Sequence, residues 1–544
     1  LEFFVTPKNG EIQYVNEKIS PTDVTFFEPC MGSGHILVYA FDILMEIYRE
    51  VGYSDRDAAL SIVENNLFGM DIDKRAYQLA YFAVMMKARS YNRRALTKGI
   101  SNNLAVVEES NSIDQFICDG VTTNDEQNKI GEYLVEAYKD AQEIGTLQTI
   151  EKKDYIGFTD YLHGIASSVE LTEFDSNVWV KDKLPKMLQF AKQAEIMSNK
   201  YAVVCTNPPY MNKLEGQLKK FMVDNYKSYS GVLSAGDLFS VFMYRNFDYC
   251  KSDGYSAFMT PNVWMFIKTY ENLRNYIINQ KTIISLIQMA KGAFFKEATV
   301  DISTFILKNC KSKESGLYIR LEKFKGDMEV QKQKVLEAIE NKNCGYFYEA
   351  KQDNFSELPC SPIAYWTSQQ LMNDFKNGTL LGELAKPRQG MATTNNNLFL
   401  RLWYEVNNTD MYLCAKNREE ALNSKCKWFP YNKGGDFRKW YGNNDYLVNW
   451  KNDGADIKHY LIGKNPNIPR GESLYFKECF SWSLISSADP AFRYKAPGNI
   501  FDIAGMSCFS DDKLFYLMAL CNSKVALSVL HILAPTINFQ AGDI

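Results

Sequence analysis

The stretch DVTFFEPCMGSGHILVYAFDILMEIYREVGY, residues 23–53, does most to limit what this chain can fold into. A short apolar run, Val24 to Phe27, reads as a strand. It turns through a Pro/Gly-rich loop into a helix with Ile36, Leu37, Ala40, Leu44 and Ile47 at helical spacing. The pattern then repeats. NNLFGMDID gives a strand at Leu67 to Met70, KRAYQLAYFAVMMKARSYNRR a second helix, and NNLAVVEESN a third strand. Alternation of strand and helix predicts an α/β fold, a Rossmann-like parallel sheet with helices on both faces. Ligands in such sheets bind beyond the carboxyl ends of the strands. Pro29 to Gly34, Asp71 and Glu109 are therefore expected along one edge.

Residues 112–197 interrupt the alternation with polar, mostly helical sequence and are expected to form a helical insertion. The sheet resumes at YAVVCTNPPY, residues 201–210. A strand at Tyr255 to Met259, a helix near 270–280 and strands at IISLIQM and VDISTFILK complete a first domain, 1–310. Residues 311–375 are mixed and charged and read as a connector. From 376 to 544, Gly, Asn and aromatics are dense and helical periodicity is weak, which predicts a mixed α/β domain with long loops.

With 544 residues, 46% of them apolar, the chain has material for two or three cores. No apolar run reaches 18 residues, so no membrane partner is expected. The 12 cysteines contain no Cys-x-x-Cys pair and the four histidines are far apart. That speaks against a zinc site or a disulfide framework, and for buried thiols in a reducing cytoplasm. From Lys376 onward, 20 basic residues face 16 acidic ones, within a chain of formal charge −4. Five of the eight tryptophans lie there too. Basic residues among aromatics suit a nucleic-acid surface, as against a Trp-rich core with ordinary surface charge. The chain opens LEFFVTPKNG, without methionine or signal peptide, and is expected to be a piece of a longer protein with its last domain clipped.

Two motifs carry chemistry. In FEPCMGSGH, Gly32 and Gly34 let the backbone approach a ligand at a helix start. The motif is neither Gly-x-Gly-x-x-Gly nor a phosphate-binding loop. Asp71, ending the next strand, can accept both hydroxyls of a ribose, or it can simply cap the following helix. In NPPY, Asn207 offers a side-chain oxygen and Pro208 a backbone carbonyl, with Pro209 stiffening the turn. Two acceptors converging on an exocyclic NH₂ favour the tetrahedral nitrogen that can attack an electrophile. Tyr210 supplies a face on which a base can stack. The plainer alternative is a strand-ending turn.

EPCMGSG, GMDID and NPPY, in that order and on strand ends, resemble the S-adenosylmethionine-dependent N6-adenine DNA methyltransferases of γ-type motif order. The longer strings FEPCMGSGHILVYAFDILMEIY, AYQLAYFAVMMKARSYNRR and VVCTNPPYM resemble the PglX methyltransferases of BREX phage-defence systems. The resemblance covers most of residues 22–310. It implies S-adenosyl-L-methionine as cofactor, with Pro29, Gly32 and Gly34 along its methionine part and Glu28 close by. Asp71 would hold the ribose, and Glu109, or its rival Asp119, would sit near the cofactor's adenine. Asn207, Pro208, Pro209 and Tyr210 would form the catalytic loop. Phe295 would be a second aromatic against a flipped adenine, unless it serves only as core packing. The resemblance also implies double-stranded DNA as substrate, read by the 376–544 domain, and other phage-defence proteins as partners. The competing readings are part of a combined restriction–modification enzyme and a non-catalytic DNA-binding component. The family's further cofactor segment often contains Thr-Pro. Thr6-Pro7 stands too close to Pro29, with no amphipathic helix after it, so that match is expected to be accidental.

Overall fold

The structure is a computed structural model that describes residues 2–12, 14, 17–118, 121–168, 179–211, 214–226, 237–294, 300–462, 470–486, 489–533, 538–542 and 544. It divides into two units, Leu1–Trp366 and Thr367–Ile544.

The first unit is built on one sheet. Its strands are β1 (Phe26–Glu28), β2 (Leu67–Asp71), β3 (Asn103–Val106), β4 (Tyr201–Thr206), β5 (Cys250–Pro261), β6 (Thr282–Gln288), β7 (Ile302–Lys308), β8 (Gly316–Arg320) and β9 (Phe347–Ala350). Their spatial order is β3-β2-β1-β4-β5-β7-β6-β8-β9. The strands β1 to β5 pair in parallel, as the sequence pattern predicts. Beyond them β7 runs antiparallel between β5 and β6, which makes the sheet mixed. The chain reverses its direction of travel across the sheet at β1, which is flanked by β2 and β4. A crevice opens beyond the carboxyl ends at such a switch point.

Burial explains why the early strands were readable. On one side, Leu37, Phe41 and Leu44 from the helix His35–Glu50 pack with Ala80 and Val84 from the helix Lys74–Tyr91, against Leu67 and Leu104 of the sheet. On the other, Phe27, Met70 and Val204 of the sheet meet Leu134, Phe158 and Phe190. The last three come from the expected insertion, whose helices include Asp125–Ala137, Tyr155–Ser168 and Leu184–Ser198. The segment is helical as expected, but it is no appendage: it closes one face of the sheet.

The connector expected at 311–375 is corrected. β8 pairs in parallel with β6 and β9 pairs antiparallel with β8, extending the sheet by two strands. The helix Met328–Glu340 buries Val335 and Ala338 against Leu317, Ile319 and Leu321. The buried guanidinium of Arg274 donates to the carbonyls of Cys360, Ser361, Trp264 and Ile267, tying the end of this stretch to the first unit. Thr6 and Pro7 dock at the same far end, where Lys342 Nζ reaches Thr6 Oγ1 and the Pro7 carbonyl.

The second unit holds two four-stranded sheets. One has the order β10 (Lys386–Arg388), β17 (Ser507–Phe509), β14 (Cys479–Ser481), β15 (Arg493–Lys495). The other runs β11 (Leu400–Leu402), β13 (Tyr446–Asn449), β12 (Trp428–Asn432), β16 (Ile500–Phe501). Trp450 and Trp482 are fully buried in this unit's cores, whereas Trp403 and Trp440 are half exposed. No single helix among the described residues is long and apolar enough to cross a membrane.

Candidate active site

The site lies where the carboxyl ends of β2, β1 and β4 meet. Glu28 is the last residue of β1 and Asp71 the last of β2; Asn207 follows directly after β4. β1 pairs with both other strands, so these residues are neighbours by register.

The turn after β1 is held from several directions. Met31 N–H donates to the Met70 carbonyl at 3.0 Å, and Gly34 N–H to the Met31 carbonyl at 2.8 Å. Gly32 N–H donates to Asp71 Oδ2 at 2.9 Å. Both glycines have positive φ, +52° at Gly32 and +83° at Gly34, a region unfavourable to other residues. They differ in surroundings. A Cβ on Gly34 would lie 2.9 Å from Ala80 Cα, so this glycine allows one helix to start against another. A Cβ on Gly32 would meet nothing within 4 Å: it would project into open space above the turn.

Glu28 is 2% exposed, and its Oε2 has no hydrogen-bond partner. Burial, and next the nearby Asp71, push its carboxyl well above the usual range, while a hydrogen bond from the Leu37 backbone pulls the other way. A buried acceptor with no donor costs stability unless a ligand supplies one. Asp71 is half-buried and partly committed: Oδ2 takes Gly32 N–H and Oδ1 takes Asp73 N–H at 2.8 Å. The cap of the following helix is Asp73, whose side chain accepts from Arg75 N–H. Asp71 is therefore no helix cap, and each of its oxygens keeps a lone pair for a further donor.

At the end of β4, Asn207 is exposed, Pro208 buried, Pro209 exposed and Tyr210 half-buried. Tyr210 Oη lies 2.8 Å from Asn207 Oδ1 and 3.1 Å from the Met259 carbonyl of β5. One hydroxyl proton serves two acceptors, which fixes the ring beside the asparagine. Burial pushes the Tyr210 phenol up, so it stays a donor.

Glu109 stands three residues beyond β3 on the same edge and is half-buried. Its neighbour Glu108 is pinned, its N–H donating to Gln193 Oε1 and its carbonyl accepting from Gln193 Nε2. Pro29 belongs to the turn, and its carbonyl accepts from the buried Thr146 hydroxyl at 3.0 Å. Asp119 and Phe295 lie outside the described residues. Thr146 is the contributor that sequence reasoning missed. It lies 117 positions from Pro29 within the polar insertion, and no local pattern marks it. The Thr146 carbonyl takes the Tyr249 hydroxyl at 2.6 Å, which ties the turn to the helix Leu238–Tyr249.

The chain has informative relatives. Residues 65–295 match the family of Eco57I restriction-modification methylases. The adenine-specific methyltransferase PglX of Lacticaseibacillus casei (strain Zhang) is 36% identical, covering 96% of this chain and 44% of that protein. The adenine-specific methyltransferase BrxX of Escherichia coli O9:H4 (strain HS) is 30% identical, covering 100% of this chain and 46% of its own length. The chain thus spans less than half the length of these curated relatives. Among solved structures, the Type IIL restriction-modification enzyme MmeI in complex with DNA matches with a TM-score of 0.53 at 12% identity. That match covers 96% of this chain and 61% of MmeI and bears on the fold alone. Over almost its whole length, this chain is a homologue of the PglX and BrxX adenine-specific methyltransferases.

Proposed function

We propose that this chain is the catalytic and recognition part of a site-specific DNA adenine-N6 methyltransferase using S-adenosyl-L-methionine, acting in a BREX-type phage-defence system alongside other proteins of that system. The observation that carries the reading is the juxtaposition at β1 and β4: the Asn207–Tyr210 pair directly beside the glycine turn and two carboxylates.

The residues present fit the cofactor. Gly32 leaves an open cradle, Glu28 presents a buried acceptor without a donor, and Asp71 and Glu109 stand on the next two strand ends. In this reading Glu28 and the turn take the methionine part, Asp71 the ribose hydroxyls and Glu109 the adenine end. Asp119 remains the alternative to Glu109. When bound, S-adenosylmethionine supplies an electrophilic methyl group on a sulfonium.

The catalytic loop acts on the amine. A target adenine flipped from the duplex stacks on the Tyr210 ring. The Asn207 side-chain oxygen and the Pro208 carbonyl accept the two N6 hydrogens, which raises the nucleophilicity of the nitrogen. Asn207 Oδ1 has two lone pairs, so it can take an amine hydrogen while Tyr210 holds the other. Positioning does most of the work, and no covalent intermediate is required. Phe295 is the proposed second aromatic on the base.

The test is methyl transfer from isotopically labelled S-adenosylmethionine to unmethylated duplex DNA, with digestion to nucleosides. Label in N6-methyl-2′-deoxyadenosine that disappears in Asn207→Ala supports the reading. Label in a cytosine derivative overturns the adenine assignment.

A further inference from the structure

The loop 433–445, KGGDFRKWYGNND, joins the antiparallel neighbours β12 and β13. It carries three large aromatics into solvent: Phe437 is 53% exposed, Trp440 50% and Tyr441 70%. Apolar rings clustered on a surface normally mark a contact. The loop is also tied down. Trp440 N–H donates to the Phe492 carbonyl at 2.9 Å, and Tyr494 N–H returns a bond to the Trp440 carbonyl at 2.8 Å. Ser483 Oγ donates to the Gly435 carbonyl, and Asn443 Nδ2 to the Asp436 carbonyl. Trp440 itself sits at φ +73°, which costs a bulky residue energy and signals an enforced orientation.

The charges beneath the loop point to the partner. Lys495, 2% exposed, donates to the Gly442 and Asn443 carbonyls at 3.0 and 2.7 Å. Arg493, 1% exposed, reaches Ser483 Oγ at 3.1 Å, and its Nε has no partner. Neither forms an ion pair among the described residues. The buried Arg493 guanidinium, unpaired with any carboxylate among the described residues, projects a positive potential to the surface above it. Arg438 adds an exposed guanidinium that forms no ion pair among the described residues. Lys433, by contrast, is paired with Asp502. Asp436 and Asp445 are the only acids on the loop.

We propose that the 433–445 loop is a DNA-reading element of the second unit, and this rests on the reading of the protein as a DNA methyltransferase. Trp440 and Tyr441 pack as apolar wedges against base pairs in a groove of duplex DNA, and Arg438 contacts a phosphate. Rigid aromatics that partly unstack a base step, flanked by cations on the backbone, are a known way to bind and deform a duplex.

The test uses the full-length protein that contains this chain, with binding measured apart from catalysis. Wild type, Trp440→Ala/Tyr441→Ala and Arg438→Ala are each used to select from a randomised duplex library, and affinity for the enriched and scrambled duplexes is measured across salt. The double variant is expected to weaken binding to the enriched duplex about tenfold or more, leaving the scrambled duplex within about twofold. Arg438→Ala is expected to weaken both duplexes and lower the slope of log affinity against log salt by about one. Melting temperature and cofactor binding should stay at wild-type values, as these side chains are exposed. Both variants enriching the same motif with wild-type affinity and salt slope would overturn the proposal, and so would a wild type that binds no duplex. A wild type that binds duplex through this loop but transfers no methyl group, with or without Asn207, would sink the enzyme reading and leave the loop assignment standing.

Discussion

The two glycines of the β1 turn should separate folding from cofactor binding. Gly34→Ala places a methyl group 2.9 Å from Ala80 Cα and 3.0 Å from Ala80 Cβ, on a backbone at φ +83°. The left-handed conformation costs roughly 1–2 kcal/mol for a non-glycine residue. Overpacking a filled interface costs about 1–3 kcal/mol more. The sum, about 2–5 kcal/mol, should appear as a melting temperature several degrees lower. Gly32→Ala has only the conformational cost, about 1 kcal/mol at φ +52°, because its Cβ meets nothing within 4 Å. That Cβ would instead enter the proposed cofactor cradle. Thermal melting and calorimetric titration with S-adenosylmethionine, on the same preparations, give both readouts. Gly34→Ala should lose most in melting. Gly32→Ala should melt close to wild type yet bind cofactor at least about tenfold more weakly. Equal melting for Gly34→Ala and wild type would refute the close approach of the helices His35–Glu50 and Lys74–Tyr91. Wild-type cofactor affinity in Gly32→Ala would refute the cradle.

Tyr210→Phe keeps the ring but removes the hydroxyl shared by Asn207 and Met259, so kcat should fall about two- to tenfold, the worth of one hydrogen bond. Tyr210→Ala also removes the stacking face and should lose at least about another tenfold in steady-state assays. Glu28 has a folded pKa raised above its unfolded value. Its stabilising contribution is therefore full below about pH 4.5 and lost as pH rises through the folded value. Glu28→Gln should accordingly melt higher than wild type at pH 8 and show no such gain at pH 4, while losing cofactor affinity. Lys495 has its pKa pushed down from 10.5 to about 7, chiefly by burial and next by Arg493. The folded state then binds fewer protons than the unfolded chain between those values. The contribution of this one group is therefore most favourable above pH 10.5 and becomes less so as the pH drops toward 7. A Lys495→Met variant should show a flatter melting profile over that window.

The parallel half of the sheet was legible because each strand is a short apolar run between a turn and an amphipathic helix. Phe27, Leu67, Leu104 and Val204 are buried by that arrangement. Residues 316–350 were not legible as sheet. The helix Met328–Glu340 carries five charged residues among its 13 and hides only Gln331, Val335 and Ala338, so its sequence reads as linker. β8 is a short strand that gains its identity from pairing with β6, and β9 in turn from pairing with β8. In the site, Pro29 to Gly34, Asp71 and Glu109 could be placed on one edge from topology alone. Thr146 beneath Pro29 depended on a tertiary contact, whereas Asp73 in place of Asp71 as helix cap and the bond from Tyr210 back to Asn207 are local choices among several that the sequence left open. The aromatic-basic bias after residue 376 was visible as composition. Two of its five tryptophans prove to be fully buried in the cores, and only the fold shows that Trp440 stands outside them.

The central claim is that Asn207 and its loop methylate adenine in DNA. Modification-sensitive long-read sequencing of a methylation-free host expressing the full-length parent gene with its neighbours tests this most directly, beside an Asn207→Ala control. The account predicts N6-methyladenine in one short sequence motif, absent from the control. Intact protein that binds S-adenosylmethionine yet leaves every adenine unmodified, or methyladenine that persists in Asn207→Ala, would contradict it.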